Sequence, residues 1–188
     1  MTRSQQTGWS MNRGRIALFL GLVLLVSGML AGCGGPAKDT AKWHFHQGND
    51  LVSQGCYDEA IEEYTKAIEL DPSLAKTYFY RAVAYYGKGQ YDLAIADCNK
   101  AIKLDPNLAE AYLNRAAAYC VKVQYDLAIA DCNKAIELDP GLGIAYLYRG
   151  YAYTKKGQRD LAIADRDKAI QIDPNLAYSA MSLIYLIR

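Results

Sequence analysis

The chain has 188 residues, of which 52% are hydrophobic and 22% charged, and its formal net charge is +1. This length suits one compact domain or one short array of repeats, and so small a charge argues against a nucleic-acid partner, which requires a basic face. Because there are 16 tyrosines but only two histidines, the composition favours extensive aromatic packing over an enzyme that relies on histidine.

The first 32 residues differ from the rest and predict a targeting segment. Their only charged residues are Arg3, Arg13 and Arg15. A nearly continuous apolar run, 16–30, follows, which is the order of a basic and then a hydrophobic region in a signal peptide. The run is shorter than the about 20 apolar residues that a membrane-spanning helix requires. A cleaved signal peptide over 1–32 is therefore favoured, and an uncleaved membrane anchor is the alternative.

The apolar run ends in the sequence LAGC, whose last residue is Cys33. This tetrapeptide resembles the bacterial lipobox, in which a diacylglyceryl group is attached to the cysteine before cleavage on its N-terminal side. The resemblance implies that Cys33 becomes the acylated N-terminus of the mature protein, with 33–40 as a short lipidated tether. Two or more acyl chains hold a protein stably on a bilayer. We therefore expect the protein in the cell envelope, on the outer membrane facing the periplasm or, alternatively, on the outer face of the cytoplasmic membrane.

The remainder is built from one unit that recurs every 34 residues, and such a fixed period indicates a repeat architecture. An Asp-Pro pair marks the period at 71–72, 105–106, 139–140 and 173–174. Aligned on the proline, the sequence divides into four units, 41–74, 75–108, 109–142 and 143–176. Each unit predicts a helix, a short turn and a second helix, because proline cannot continue a helix interior. Small residues recur where the two helices would touch, at Gly48, Ala60, Ala67, Ala82, Ala94, Ala101, Ala116, Ala128, Ala135, Gly150, Ala162 and Ala169.

These spacings resemble those of the tetratricopeptide repeat, or TPR. The resemblance implies an all-α protein, an α-solenoid of four TPR helix-turn-helix repeats over 41–176, in which stacking covers the apolar face of each hairpin. The last stretch, 177–188, starts like the first helix of a fifth repeat and is expected to form a capping or partial helix. Its apolar side chains predict self-association or docking, at Met181, Ile184 and Ile187.

Two departures from the repeat pattern lead to structural expectations. Val123 stands where the other units have a turn glycine, so this turn is expected to be stiffer or less regular. Arginine stands at a first-helix position that is often leucine in TPRs, and an aspartate accompanies it on the second helix. We expect ion pairs between helices, either within a unit or between neighbouring units, formed by the arginines Arg81, Arg115 and Arg149 and the aspartates Asp97, Asp131 and Asp165.

The groove-facing positions follow from the resemblance, because first helices line the concave wall in the TPR family and partner peptides or domains dock there. Carried onto this sequence, these positions are mostly aromatic or aliphatic, which marks a partner surface. The predicted partner-binding residues are Phe45, Asn49, Phe79, Val83, Tyr86, Leu113, Ala117, Leu147 and Tyr151. Some TPR cochaperones clamp a C-terminal carboxylate with lysine and asparagine. Phe45 and Tyr80 replace clamp residues here and Glu110 adds repulsion, so that activity is not implied.

No arrangement of residues in the sequence indicates catalysis or metal binding. His44 and His46 are two positions apart and point to different faces of a helix, whereas a helical zinc pair is four apart. Cys98 and Cys132 hold equivalent places in adjacent units, about 8–10 Å apart, which exceeds disulfide reach unless the side chains converge. We therefore predict no enzyme activity, no catalytic residue, no metal and no cofactor.

The expected function is that of a membrane-anchored scaffold of the bacterial cell envelope. Its groove would bind a protein or peptide partner, and acylated Cys33 would bind the lipid bilayer. Two alternatives stay open. The groove could bind or turn over a small ligand such as a peptidoglycan or lipid fragment, or the array could only self-assemble through its tail.

Overall fold

The computed structural model describes residues 39–177. This part of the chain contains eight α-helices, one short 3-10 helix and no β-strand. The α-helices are α1 (Ala41–Ser53), α2 (Tyr57–Leu70), α3 (Ala75–Gly87), α4 (Tyr91–Leu104), α5 (Ala109–Val121), α6 (Tyr125–Leu138), α7 (Gly143–Lys155) and α8 (Arg159–Ile172). The 3-10 helix, Pro174–Leu176, follows α8. Consecutive helices pair into four hairpins, and the predicted all-α fold is confirmed.

Some of the predictions concern parts of the chain that lie outside the described residues. These are the signal peptide 1–32, the lipidated Cys33 with nearly all of the tether 33–40, and all but the first residue of the predicted capping or partial helix 177–188, with Met181, Ile184 and Ile187. The membrane anchor and self-association through the tail therefore stay predictions.

The helices of each hairpin pack closely because small residues lie where they touch. All twelve of the predicted small residues are buried. Gly48 on α1 faces the ring of Tyr64 on α2, and a Cβ atom at Gly48 would lie only 2.5 Å from that ring. On α7, a Cβ atom at Gly150 would lie 3.3 Å from the Ala162 carbonyl oxygen. The recurring small residues therefore set how closely the helices approach.

Each hairpin turns at a residue with positive φ. The φ angles are 77° at Gly55, 74° at Gly89, 62° at Val123 and 74° at Gly157. The amide of Val123 donates to the Cys120 carbonyl at 3.1 Å and that of Gln124 to Tyr119 at 2.9 Å, as in the glycine turns. The turn at Val123 is therefore regular, contrary to expectation. The effect of valine at this position is energetic instead, because positive φ is unfavourable for a β-branched residue.

The Asp-Pro pairs mark the boundaries because the aspartate ends one helix and shapes the turn to the next. The carboxylate of Asp71 accepts a hydrogen bond from the Ser73 amide at 3.0 Å. The proline that follows each aspartate has no amide hydrogen and cannot extend the preceding helix. The same Asx turn recurs at Asp105 with Asn107, Asp139 with Gly141 and Asp173 with Asn175.

The predicted Arg–Asp pairs join the two helices of a hairpin. Arg115 donates from Nε and Nη2 to the two carboxylate oxygens of Asp131, each at 2.7 Å. Its Nη1 donates to Asn99 of the preceding hairpin, so one guanidinium connects three helices. Asp131 is only 7% exposed. The Arg–Asp hypothesis is confirmed, with equivalent pairs at Arg81–Asp97 and Arg149–Asp165.

The first hairpin replaces this pair with another one. Glu63 stands at the aspartate position, and its carboxylate lies 2.6 Å from His44 Nδ1 and 2.6 Å from Lys66 Nζ. Burial acts to raise the pKa of Glu63, but its hydrogen bonds with Lys66 and His44 outweigh burial and lower the pKa. His44 is therefore a packed residue that holds α1 against α2.

Contacts between hairpins determine which helices face inward. First helices touch first helices, α1 with α3, α3 with α5 and α5 with α7. The second helices α2, α4, α6 and α8 make no comparable contacts with one another. The first helices therefore form the inner wall of the stack and the second helices its outer layer, as in an α-solenoid.

Candidate partner-binding groove

A cavity of about 260 Å³ opens on the inner wall, and the described residues that line it all belong to α3, α5 and α7. We call it the central groove. Its lining consists of Phe79, Val83, Tyr86, Glu110, Leu113, Asn114, Ala117, Ile144 and Tyr148. The structure thus brings together five of the nine residues predicted to bind a partner. Because the lining residues come from the first helices of three successive hairpins, the groove forms only when these hairpins are stacked.

The local helix geometry explains how these side chains converge. Phe79, Val83 and Tyr86 are spaced by four and three residues and so share one face of α3. On α5, Leu113 and Ala117 are likewise four residues apart. Ala117 is 4% exposed and forms the floor of the groove between the larger side chains.

Two tyrosines from α3 and α7 meet across α5 at one end of the groove. The side chains of Tyr86 and Tyr148 both line the groove and lie near each other. Burial raises the pKa of both hydroxyl groups above the ordinary value of tyrosine. Below them, the Cys120 thiol donates to the Tyr148 carbonyl at 3.9 Å. Tyr86, Ala117 and Tyr148 thus place one residue each of α3, α5 and α7 in the lining of the groove.

A second cavity, of about 460 Å³, lies between α1 and the start of α3. We call it the N-terminal cavity. Its lining consists of Lys42, Phe45, His46, Ser73, Leu74, Ala75, Lys76 and Thr77. Phe45, one of the predicted partner-binding residues, lies here and not in the central groove. Its ring meets Tyr80 edge-on at 5.3 Å between centroids.

Three predicted binding residues lie in neither cavity lining. Asn49 accepts a hydrogen bond from the Tyr64 hydroxyl at 2.7 Å and so links α1 to α2. Tyr151 is half-buried and packs edge-on against Tyr125, with ring centroids 6.2 Å apart. Leu147 is 8% exposed and packs in a buried cluster with Leu176 of the 3-10 helix. The expectation that Leu147 offers its side chain to a partner is therefore corrected: it is a core residue of the last hairpin.

Four further residues line the central groove, namely Glu110, Asn114, Ile144 and Tyr148. The TPR resemblance implies groove-facing positions at Glu110 and Ile144, with Asn114 and Tyr148 beside them, but none of the four is among the predicted partner-binding residues. Ile144 and Tyr148 stand on one face of α7, four residues apart. Glu110 and Asn114 share one face of α5 in the same way. The repeat register therefore indicates that these positions face the groove, and the structure shows that their side chains line it.

The described residues offer little for catalysis or metal binding. Cys98, Cys120 and Cys132 are buried free thiols. Burial raises the pKa of Cys98 and that of Cys120 to about 12, so these thiols are poor nucleophiles. Within 39–177, no group of three histidine, cysteine, aspartate or glutamate residues could hold a metal ion. None of the helices described is both long and apolar enough to cross a membrane.

Comparison with known families shows what these hairpins are. A family described as TPR repeat matches residues 48–89. The tetratricopeptide repeat family matches 75–108 and 109–142, and a further tetratricopeptide repeat model matches 144–176. The chain belongs to the tetratricopeptide repeat family. TPR proteins are typically protein–protein interaction modules that bind peptides, and they generally act as scaffolds and not as enzymes.

Solved TPR structures resemble this one over most of its length. The MamA protein is 29% identical, with 73% of this chain and 75% of that chain covered and a TM-score of 0.65. The first TPR of Spaghetti (RPAP3), bound to the HSP90 peptide SRMEEVD, is 31% identical over 62% of this chain and 93% of that chain, with a TM-score of 0.61. The second TPR domain of human RPAP3, in complex with the HSP70 peptide SGPTIEEVD, is 30% identical over 60% and 93%, with a TM-score of 0.58. No curated protein sequence matches.

Proposed function

We propose that this TPR protein is a membrane-anchored adaptor of the bacterial cell envelope, which binds a peptide or domain of a partner protein in its central groove. The observation that carries the proposal is the open, largely apolar cavity formed by α3, α5 and α7. The lipobox-like sequence ending in Cys33 supports the anchor. The peptides bound to the RPAP3 domains support a polypeptide as the occupant.

The chemistry of the central groove favours an apolar side chain as the anchor of the partner. Phe79, Val83 and Leu113 present partly exposed apolar surface on its walls. Burying such surface stabilises a complex by about 25 cal/mol per Å² before the entropic costs of association. Asn114 adds an amide at the groove that can hydrogen-bond a partner's backbone. The partner segment is therefore expected to insert aromatic or aliphatic residues there.

The partner-binding role is tested by crosslinking in intact cells. A photoreactive amino acid is placed at Leu113, in the groove, and in a matched variant at Leu93, which is 48% exposed on the outer helix α4. We expect a defined adduct with an envelope protein from Leu113 and none from Leu93. An adduct with a second copy of the chain alone would favour self-assembly, and equal labelling from both positions would contradict a groove-specific partner.

A further inference from the structure

Exposed apolar side chains gather near the turns of the second, third and fourth hairpins. In the described part of the chain, eight large hydrophobic residues are well exposed, and five of them lie within four residues of a hairpin turn. We call the surface of these five residues the turn-edge patch, and they are Leu93, Val121, Val123, Leu127 and Leu161. Single exposed hydrophobic residues are ordinary, but a concentration of them marks a contact surface.

The hairpin turns lie side by side, so the turn-edge patch occupies one edge of the array. Lys122 stands at the turn of the third hairpin and donates to the carboxylate of Asp92, at the turn of the second, at 2.7 Å. Equivalent bridges join the other neighbouring turns, at Lys88–Asp58 and Lys156–Asp126. Because each bridge joins one turn to the next, the exposed apolar side chains near these turns are neighbours in space.

Val123 indicates that the patch has a role outside the fold. Its φ angle is 62°, which is unfavourable for a β-branched residue, and the other three turns have glycine at this position. Its side chain is 67% exposed, so packing within the chain does not compensate for that cost. Backbone strain of this kind concentrates at functional sites. A contact with something outside the chain accounts for a valine here.

The charges around the patch suit an anionic surface. Within four residues of the turns at Gly89, Val123 and Gly157, the sequence has five cationic and three acidic residues. The cations are Lys88, Lys122, Lys155, Lys156 and Arg159, and the acids are Asp92, Asp126 and Asp160. Two of the three aspartates are neutralised by the lysine bridges between turns. The edge therefore carries an excess of positive charge, which an anionic lipid surface attracts.

The turn of the first hairpin lacks these features. Glu59 stands at the position that Leu93, Leu127 and Leu161 occupy in the later hairpins, and it is exposed. Within four residues of the turn at Gly55 there are two acidic residues and no lysine or arginine. The apolar and basic surface is therefore confined to the last three hairpins.

Two tyrosines complete the composition of a surface that fits the boundary between lipid and water. Tyr91 and Tyr125 begin α4 and α6 at the turn edge, and both are half-buried. Tyrosine has an apolar ring and a polar hydroxyl group, so it is enriched where hydrocarbon meets water. Leucine, valine, tyrosine and lysine together are typical of a protein surface that lies in the headgroup region of a bilayer.

The tether is long enough to let the turn edge and the proposed anchor meet one membrane. Helix α1 has 13 residues, which is about 20 Å, and its last residue lies near the first turn. The eight residues 33–40 precede α1 and span at most about 26–29 Å when fully extended. An acyl chain on Cys33 is therefore compatible with a bilayer at the turn edge. The central groove would stay open, because Glu110 and Ile144 line it at the ends of α5 and α7 that lie away from the turns.

We propose that the turn-edge patch lies against an anionic phospholipid bilayer, with its leucine and valine side chains in the headgroup region. The membrane is then a second ligand of the folded repeats, and the patch orients the groove above the lipid surface. This inference rests on the proposed function, because the acylated Cys33 brings the repeats to the membrane.

The test is quenching of tryptophan fluorescence by brominated acyl chains. The full acylated chain is reconstituted in vesicles of phosphatidylethanolamine and phosphatidylglycerol, with Trp9 and Trp43 replaced by phenylalanine. A single tryptophan is introduced by L127W, in the patch, or by the matched control L70W. Leu127 is 49% and Leu70 50% exposed, but Leu70 ends α2 at the edge away from the turns. Circular dichroism checks that each variant keeps the helical fold.

We expect L127W to lose fluorescence when the vesicle lipids are brominated and L70W to keep it. Flotation of the vesicles shows separately whether the chain is bound to them. A chain that floats with L127W unquenched, or with L127W and L70W quenched equally, would overturn the inference and leave the anchor standing. An L127W emission that instead shifts to shorter wavelength as the protein concentration rises would assign the patch to a second copy and also overturn it. A chain that does not float would contradict the membrane anchor of the proposed function itself.

Discussion

The guanidinium of Arg115 and the carboxylate of Asp131 meet through two hydrogen bonds of 2.7 Å, which fasten α5 to α6. The aspartate is almost fully buried. Removing one partner of such a pair leaves a buried charge without compensation, which costs more than the intact pair contributes. The pair therefore specifies how the hairpin closes.

We expect Arg115→Leu to lower the free energy of unfolding by about 3 kcal/mol, because Asp131 loses its partner. The measurement is urea unfolding followed by circular dichroism. The double variant R115L/D131L should recover much of the loss, since it leaves no unpaired charge. An unchanged urea midpoint for Arg115→Leu would show that the pair contributes nothing to stability.

We expect Val123→Gly to stabilise the chain by about 0.5–1 kcal/mol. Glycine relieves the about 1–2 kcal/mol cost of left-handed backbone at a residue with a side chain, and greater freedom of the unfolded chain offsets part of that gain. Val123 is 67% exposed, so little packing is lost. The urea midpoint should rise, whereas the reverse change Gly89→Val should lower it. A fall for Val123→Gly would mean that the valine side chain stabilises the turn.

Leu113 and Leu147 occupy equivalent positions one repeat apart. Leu113 lines the groove, whereas Leu147 is buried in the core, so we expect their replacement to affect stability differently. Leu147→Ala should destabilise the chain by about 3 kcal/mol, because it opens a cavity in the buried cluster of the last hairpin. Leu113→Ala removes a half-buried groove side chain and should cost about 1 kcal/mol or less. Thermal unfolding compares the two. Equal losses would mean that Leu113 is as much a core residue as Leu147.

The predicted anchor is tested on the protein extracted from membranes. We expect an intact mass that corresponds to an N-terminus at Cys33 carrying acyl chains. Cys33→Ser should abolish both the added mass and cleavage before residue 33. A wild-type protein that retains residues 1–32 without acyl chains would instead support the uncleaved anchor.

The repeat period was sufficient to predict the helices, because Asp-Pro boundaries and small contact residues are local features. It was also sufficient for much of the central groove, since Phe79, Val83 and Leu113 lie in the middle of the array. In the middle of the array, each first helix packs against another first helix on both sides. Residues at equivalent positions of the repeat therefore have similar surroundings there, and the repeat alignment predicts which of them line the groove.

The period could not predict what happens near the ends of the array. Leu147 is equivalent to Leu113, but the 3-10 helix after α8 contributes Leu176 to the cluster that buries it. Phe45 is equivalent to Phe79, but it lies in the N-terminal cavity beside two lysines. These differences depend on the neighbours of each repeat, which an internal alignment does not show.

The central claim is that the groove between α3, α5 and α7 holds a partner polypeptide. Calorimetric titration tests it most directly. The titrant is the partner protein identified by crosslinking from Leu113, and the samples are the wild-type chain, Phe79→Ala and Leu93→Ala. Phe79→Ala should weaken binding about tenfold or more, as loss of an aromatic anchor does, and Leu93→Ala on the outer layer should leave the affinity unchanged. Equal affinities for all three chains would contradict the claim.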